Sequence, residues 1–166
     1  MRVTKIIIML CVALAMFGCK KKTVPDPAGT ITLNMRNSDY GNTLLDLCAP
    51  NEDDKTFCHV HINNGNNFAN YTGYYVYYSS EVRFAQVDAN CLGDITTIPT
   101  SGWSQSVAVQ PGNGYVVRVK CISEGSPYYG QTYYCRIYVT SWTKSAINNG
   151  IIGAEIKYQY PMPVNN

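Results

Sequence analysis

The sequence predicts an all-β protein, an antiparallel β-sandwich of immunoglobulin-like or partly closed barrel form, preceded by an export signal and a short linker. Three observations carry this expectation. Tyrosine is abundant, 14 residues against 4 Phe and 2 Trp, and aromatic side chains suit the half-buried surface of a pleated strand. Apolar residues recur with a period of two, in runs punctuated by Gly, Asn and Pro clusters. No stretch beyond Cys19 sustains a 3.6-residue period, so helices are not expected to build the core. A length of 166 residues fits one domain. With 46% hydrophobic and 14% charged residues, the chain is composed like a folded protein rather than a disordered one.

The first element is the export signal. Arg2 and Lys5 precede an apolar run from Ile6 to Phe17, and the small Gly18 closes it, which is the three-part plan of a secretory leader. The run is too short to span a bilayer, which takes about 20 helical residues. We therefore expect residues 1–18 as a signal peptide, 19–28 as a lipidated tether and 29–166 as a single β-sandwich domain. Cys19 is the better acyl acceptor than Cys11, because it follows Gly18 at the end of the run whereas Cys11 follows Leu10 inside it. Met16-Phe17-Gly18-Cys19 resembles the bacterial lipobox, and the resemblance implies cleavage before Cys19 and acylation of its thiol. Met16 and Phe17 depart from the usual leucine and small residue. Each buried methylene contributes roughly 0.8 kcal/mol, so two or three chains anchor stably.

Lys20, Lys21 and Lys22 follow and add about 1 kcal/mol each of attraction to an anionic leaflet. Surface-exported lipoproteins of Bacteroidetes-type bacteria resemble one another in an acidic run at this place. The basic run here favours the periplasmic face of the outer membrane over the cell surface. Thr23-Val24-Pro25-Asp26-Pro27 reads as an extended linker, since alternate prolines fix φ. Without Arg2 and Lys5 the chain carries 11 basic and 11 acidic residues, a balance that disfavours nucleic acid as a partner.

The strands follow in order. Thr30–Met35 opens the set. Phe57–Ile62 places Cys58, Val60 and Ile62 on one face and His59 and His61 on the other, before an Asn63-Asn64-Gly65-Asn66-Asn67 turn. Gly73–Tyr78 and Glu81–Val87 are expected as strands separated by Ser79-Ser80. Val107 and Val109 precede the Pro111-Gly112-Asn113-Gly114 turn, and Tyr115, Val117, Val119 and Cys121 alternate with Val116, Arg118 and Lys120 beyond it. Tyr133, Cys135, Ile137 and Val139 form the next apolar row, and Ile152, Ala154, Ile156, Tyr158 and Tyr160 the last.

Beyond Cys19 the chain has Cys48, Cys58, Cys91, Cys121 and Cys135, an odd number that leaves at least one thiol unpaired within a monomer. Cys121 and Cys135 fall on the apolar faces of neighbouring strands and are the first expected disulfide. Cys48 and Cys58 flank the polar Pro50–Asp54 segment and are the second, leaving Cys91 free. Each bridge would contribute about 3 kcal/mol in an oxidising compartment. The competing reading is five buried thiols. No C-x-x-C occurs, so neither a zinc ribbon nor a thioredoxin-type centre is indicated.

Signature motifs of metalloproteases, serine hydrolases, phosphate-binding loops, dinucleotide folds and EF-hands are absent, so no catalytic residue and no cofactor is expected. Two alternatives to a binding or structural module stand open. His59 and His61 point the same way from one strand, and with Glu52, Asp53 or Asp54 they could ligate a metal and run a metal-dependent reaction. Against this, the alternation favours two solvent-facing histidines opposite a buried Cys58-Val60-Ile62 face. The second alternative is a carbohydrate-binding accessory protein, with Tyr75, Tyr77 and Trp103 in an aromatic platform beside Tyr74, Tyr78, Tyr128 and Tyr129. Its competitor is ordinary cross-strand tyrosine packing. The expected partners are the membrane, through the acyl chains, and a glycan or an envelope protein.

Taken together, Asp26–Met35, Ile62–Phe68, Gly93-Asp94-Ile95 with Ile98–Trp103, Val107–Tyr115 and Ile151–Pro161 resemble an uncharacterised family of Bacteroidetes-type lipoproteins, a domain of unknown function. The likeness spans nearly the whole mature chain. It implies a secreted, anchored, all-β domain and brings no activity or site residues with it. The Cys48–Cys58 segment looks like an insertion relative to that pattern.

Overall fold

The computed structural model describes residues 24–163. The signal peptide, Cys19 and the three lysines lie outside the described residues. Among the described residues nine strands form: β1 (Ile31–Arg36), β2 (Leu45–Ala49), β3 (Glu52–Ile62), β4 (Asn67–Tyr71), β5 (Ser80–Val87), β6 (Ser106–Ala108), β7 (Gly114–Cys121), β8 (Thr132–Lys144) and β9 (Ile151–Gln159). They pair antiparallel in two sheets, a five-stranded one in the order β1-β9-β8-β7-β5 and a four-stranded one in the order β2-β3-β4-β6. The protein is therefore an all-β sandwich with two open sheets, and the partly closed barrel is set aside.

The period-two rows supply the core. Val117 and Val119 of β7, Ile137 and Val139 of β8 and Ile156 of β9 face Val60 and Ile62 of β3 and Phe68 of β4, all fully buried. Each such side chain contributes about 1.5–3 kcal/mol of apolar burial. Between Leu47, paired with Cys58, and Cys48, paired with Thr56, β3 carries one extra residue, Phe57. Such a bulge breaks the alternation, so Phe57 and Cys58 are both buried, and Phe57 stacks on Tyr133 at 5.4 Å.

Several expectations are corrected. Gly73–Tyr78 is a loop: the amides of Tyr77 and Tyr78 both donate to the Thr56 carbonyl, at 2.9 and 3.1 Å, instead of entering a ladder. The partner of β3 after the Asn-rich turn is β4, and the turn itself forms as expected, with Asn63 Oδ1 accepting from the Gly65 and Asn67 amides. Asp53 and Asp54 lie in β3, because the β2–β3 turn closes tightly at Pro50-Asn51, where Asn51 takes a positive φ of 62°.

All five described cysteines are free. Cys135 pairs with Val117, four residues along β7 from Cys121, a separation of about 13 Å at ~3.3 Å per residue and well beyond disulfide reach. The Cys121–Cys135 bridge is thus excluded by register. Cys58 points into the core, while Cys48 Sγ donates to the Asp53 carbonyl at 3.1 Å, so the bulge turns the second expected pair apart as well.

The segment expected as an extended linker is, as far as it is described, docked on the domain. Lys157 Nζ donates to Asp26 Oδ2 at 2.6 Å, Gln159 Nε2 to the Ala28 carbonyl at 2.7 Å and Cys91 Sγ to the Val24 carbonyl at 3.3 Å. A one-turn 3-10 helix, Leu92–Asp94, lies beside it. A Cβ on Gly93 would sit 2.5 Å from the Pro25 carbonyl oxygen, so this close approach requires glycine. Gln159 and the Ile95 carbonyl in turn accept from Arg136, a buried guanidinium with Nη1 2.7 Å from Ile95 O and Nε 2.8 Å from Gln159 Oε1. Leu92, Ile95, Ala89, Val116 and Met162 make a second small core on this outward side.

Candidate functional site: an aromatic outer face

Alternation along β3 sends His59 and His61 away from the core, as the sequence indicated, and register places Asp46 of β2 and Tyr71 of β4 on either side of His59. Neither histidine meets solvent, however: they are 7% and 9% exposed. The expectation of solvent-facing histidines fails because the loop after β4 folds back over His59, while Tyr71 of β4 and Ser38 pack on His61. His59 Nδ1 lies 2.6 Å from Asp46 Oδ1, and Nε2 lies 3.1 Å from the Tyr75 carbonyl oxygen. Both neighbours are acceptors for whichever ring nitrogen carries hydrogen, and the ring lies between the sheet and the loop. It thereby pins the loop to the sheet. His61 Nδ1 sits 3.2 Å from the Ser38 hydroxyl, and burial lowers its pKa from the usual imidazole value.

Above the histidines the rings form a ladder. Tyr71 lies edge-on to His61 at 5.1 Å, Tyr74 to Tyr71 at 5.3 Å and Tyr74 to His59 at 6.0 Å. Further along, Tyr78 turns inward against Phe57 and Tyr128, and Tyr77 packs on it at 4.8 Å beneath Lys55 Nζ. The result is a row of tyrosines held from below and open above: Tyr74 is 62%, Tyr75 82% and Tyr77 48% exposed. Where the loop rejoins β5, a cavity of about 220 Å³ is lined by Phe57, Asn70, Tyr71, Tyr74, Ser79 and Ser80, among others. Asn70 Oδ1 is buried there without a hydrogen-bond partner. Such an acceptor is costly unless something donates to it.

The structure divides the platform residues. Tyr75 and Tyr77 share the loop, but Trp103 stands on the outward side of the other sheet, packed beside Tyr134 with the Arg118 guanidinium 5.0 Å from its ring centre and its Nε1 donating to Pro99 O at 3.2 Å. For a metal, the donor set is poor. His59 has both nitrogens engaged, Glu52 is held by Lys55 at 2.6 Å, and among the described residues no three His, Cys, Asp or Glu side chains converge on one point. Burial raises the pKa of the Cys58 and Cys135 thiols, which keeps them protonated and unreactive. A further cavity, of about 280 Å³ beside Asp88, Asp94, Thr96 and Thr97, is lined without any Tyr, Trp or His.

Charge divides along the same line. The strands of the four-stranded sheet hold Asp46, Glu52, Asp53 and Asp54 against Lys55 alone, histidines aside. Those of the five-stranded sheet hold seven basic residues, among them Arg83, Arg118, Lys120 and Lys157, against Glu81 and Glu155. Sequence reasoning found the tyrosines and the direction of the histidines. It missed Asp46 and the backbone of Tyr75, for which only the histidine's need for partners was a signal.

The fold and the site define an all-β sandwich with an aromatic outer face on one sheet, whose strands carry an acidic excess, and a basic excess in the strands of the other. No family model, no curated protein and no solved structure matches the chain.

Proposed function

We propose that the chain is a binding module of the bacterial cell envelope rather than an enzyme, acylated at Cys19 and held at the periplasmic face of the outer membrane, like the uncharacterised lipoproteins it resembles. A glycan is the ligand class we assign to it, with Tyr74, Tyr75 and Tyr77 as the binding surface. One observation carries this reading: three neighbouring tyrosines stand about half to four-fifths exposed on a loop that His59 and Thr56 fix to the sheet. Aromatic rings offer apolar faces to the C–H side of a sugar and hydroxyl tips to its polar rim. Rings ordered before binding lose less entropy on binding than mobile ones. The cavity beside them adds the Ser79 and Ser80 side chains and an acceptor, Asn70 Oδ1, that lacks a donor.

The test is a glycan array followed by calorimetry on any hit. Tyr74→Ala and Tyr75→Ala are expected to weaken binding by roughly tenfold each, the 1–2 kcal/mol typical of a contact aromatic, while Trp103→Ala leaves it unchanged. A blank array, or tyrosine variants that bind like the wild type, removes the glycan reading. Anchoring is checked separately, by mass spectrometry of the protein from bacterial membranes: an unmodified, uncleaved N-terminus overturns it.

A further inference from the structure

We propose that the domain lays the outward face of its five-stranded sheet, with Arg83, Arg118, Lys120 and Trp103, against an anionic lipid surface, so that the tyrosine face is directed away from the membrane. The inference rests on the anchored reading above and goes beyond it, because an acyl chain alone leaves orientation free.

Three independent features agree. The first is where the chain enters. Asp26, Ala28 and Val24 are bonded to Lys157, Gln159 and Cys91, and Lys157 and Gln159 alternate with the inward Ile156 and Tyr158. Residues 24–28, the described end of the tether, therefore lie on the outward side of this sheet. Only four residues lie between Cys19 and Val24, a reach of at most roughly 18 Å at ~3.3–3.6 Å per residue. That is too short to let a sandwich with sheets ~10 Å apart, plus side chains, turn over freely.

The second feature is charge. Arg118 and Lys120 alternate with the buried Val117 and Val119, and Arg83 with Val82 and Phe84, so all three point outward from the edge formed by β5 and β7. Glu81 offsets part of this, 3.3 Å from Arg83 Nε and 3.6 Å from Arg118 Nη2, and Lys120 remains exposed. Lys20, Lys21 and Lys22 precede Val24 in the sequence and add to the basic charge of the tether. The opposite sheet, with Asp46, Glu52, Asp53 and Asp54, would be repelled by the same surface. The third feature is Trp103, partly exposed beneath Arg118; an indole with one polar edge suits the lipid headgroup level.

The two tryptophans allow a direct test. The full chain from residue 19, carrying an N-terminal histidine tag, is captured on vesicles containing a nickel-chelating lipid, so that the readout does not depend on acylation. In Trp142→Phe, which leaves Trp103 as the reporter, brominated phosphatidylglycerol is expected to quench the fluorescence. In Trp103→Phe/Trp142→Phe/Tyr75→Trp, where the reporter sits on the tyrosine face, quenching should be absent. Lys120→Gln should lower the affinity of the untagged protein for phosphatidylglycerol vesicles by roughly fivefold, the worth of one basic residue near an anionic surface. Quenching at position 75 as strong as at Trp103, or Trp103 quenching equal on phosphatidylcholine, overturns the orientation. Neither result bears on whether Cys19 is acylated in the cell, which the mass measurement decides.

Discussion

The outward faces of the two sheets arise from the same period-two alternation, yet they are finished in different ways. On the five-stranded sheet, Arg136 is buried with no carboxylate partner among the described residues, and donates to the Ile95 carbonyl and the Gln159 amide oxygen. Those acceptors belong to, or hold, two pieces of chain laid over the sheet, the 88–105 excursion and the Val24–Gly29 strap. On the four-stranded sheet, His59 is paired with Asp46 and fastens a loop whose tyrosines stay open. One outward polar row thus closes a face, and the other props up an exposed surface. The difference lies in what the polar residue holds: a guanidinium with several donors organises a second small core, while an imidazole with two ring nitrogens reaches a single backbone carbonyl.

That contrast is broken most severely at Arg136. Arg136→Met removes the donors and leaves Ile95 O and Gln159 Oε1 without them in a buried setting, at an expected cost of about 3 kcal/mol. Urea unfolding would read this as a lowered midpoint, and the 88–105 segment should become susceptible to protease. A stability equal to the wild type would mean that the second core stands without its cation.

His59→Phe should cost less, about 1–2 kcal/mol, because Asp46 is 56% exposed and water replaces its lost partner. Its mark is local: amide exchange over residues 73–77 should accelerate more than exchange in β7 and β8. Uniform acceleration would show that the tyrosine loop is part of the global cooperative unit rather than a pinned addition. Gly93→Val sharpens the other half of the comparison. It pushes on Pro25 O and Val24 Cγ1 and is expected to free the strap for about 1 kcal/mol, read as new cleavage before Thr30 with the sandwich otherwise intact.

How far the sequence reveals these features depends on how local their causes are. β7, β8 and β9 are legible because alternation between core and solvent is a property of each strand by itself. β2 and β4 are short, five residues each, too brief for a period to stand out. The tyrosine loop imitates a strand because Tyr77 points out and Tyr78 in, an alternation set by packing on Phe57 rather than by a ladder. The direction of His59 and His61 is legible, but their burial is not, since the cover comes from elsewhere in the chain: the later loop over His59, and Ser38 with Tyr71 over His61. The prolines of the strap do forecast an extended chain; its docking depends on Lys157 and Gln159, each 131 residues away from its partner. The disulfide expectation failed on register, which alternation alone leaves open by any even number of residues.

The smallest effect concerns His61, and it separates the two histidines of the aromatic face. Burial lowers its pKa in the fold below the ordinary value of 6.5, so the folded state favours the neutral ring and the unfolded chain binds a proton more readily. Between the two pKa values the unfolded state therefore holds more protons, and stability rises with pH. The contribution is present in full above about pH 6.5 and is lost as pH falls from there through the folded value. Thermal unfolding of the wild type and His61→Gln across pH 7.5 to 5 should show the wild type losing its advantage as acid is added. Tyr71, edge-on to the ring at 5.1 Å, should report the same transition by its exchange protection. If the difference between the two proteins does not change with pH, His61 takes up its proton in place, and the cover that Tyr71 and the loop provide is loose enough to admit water.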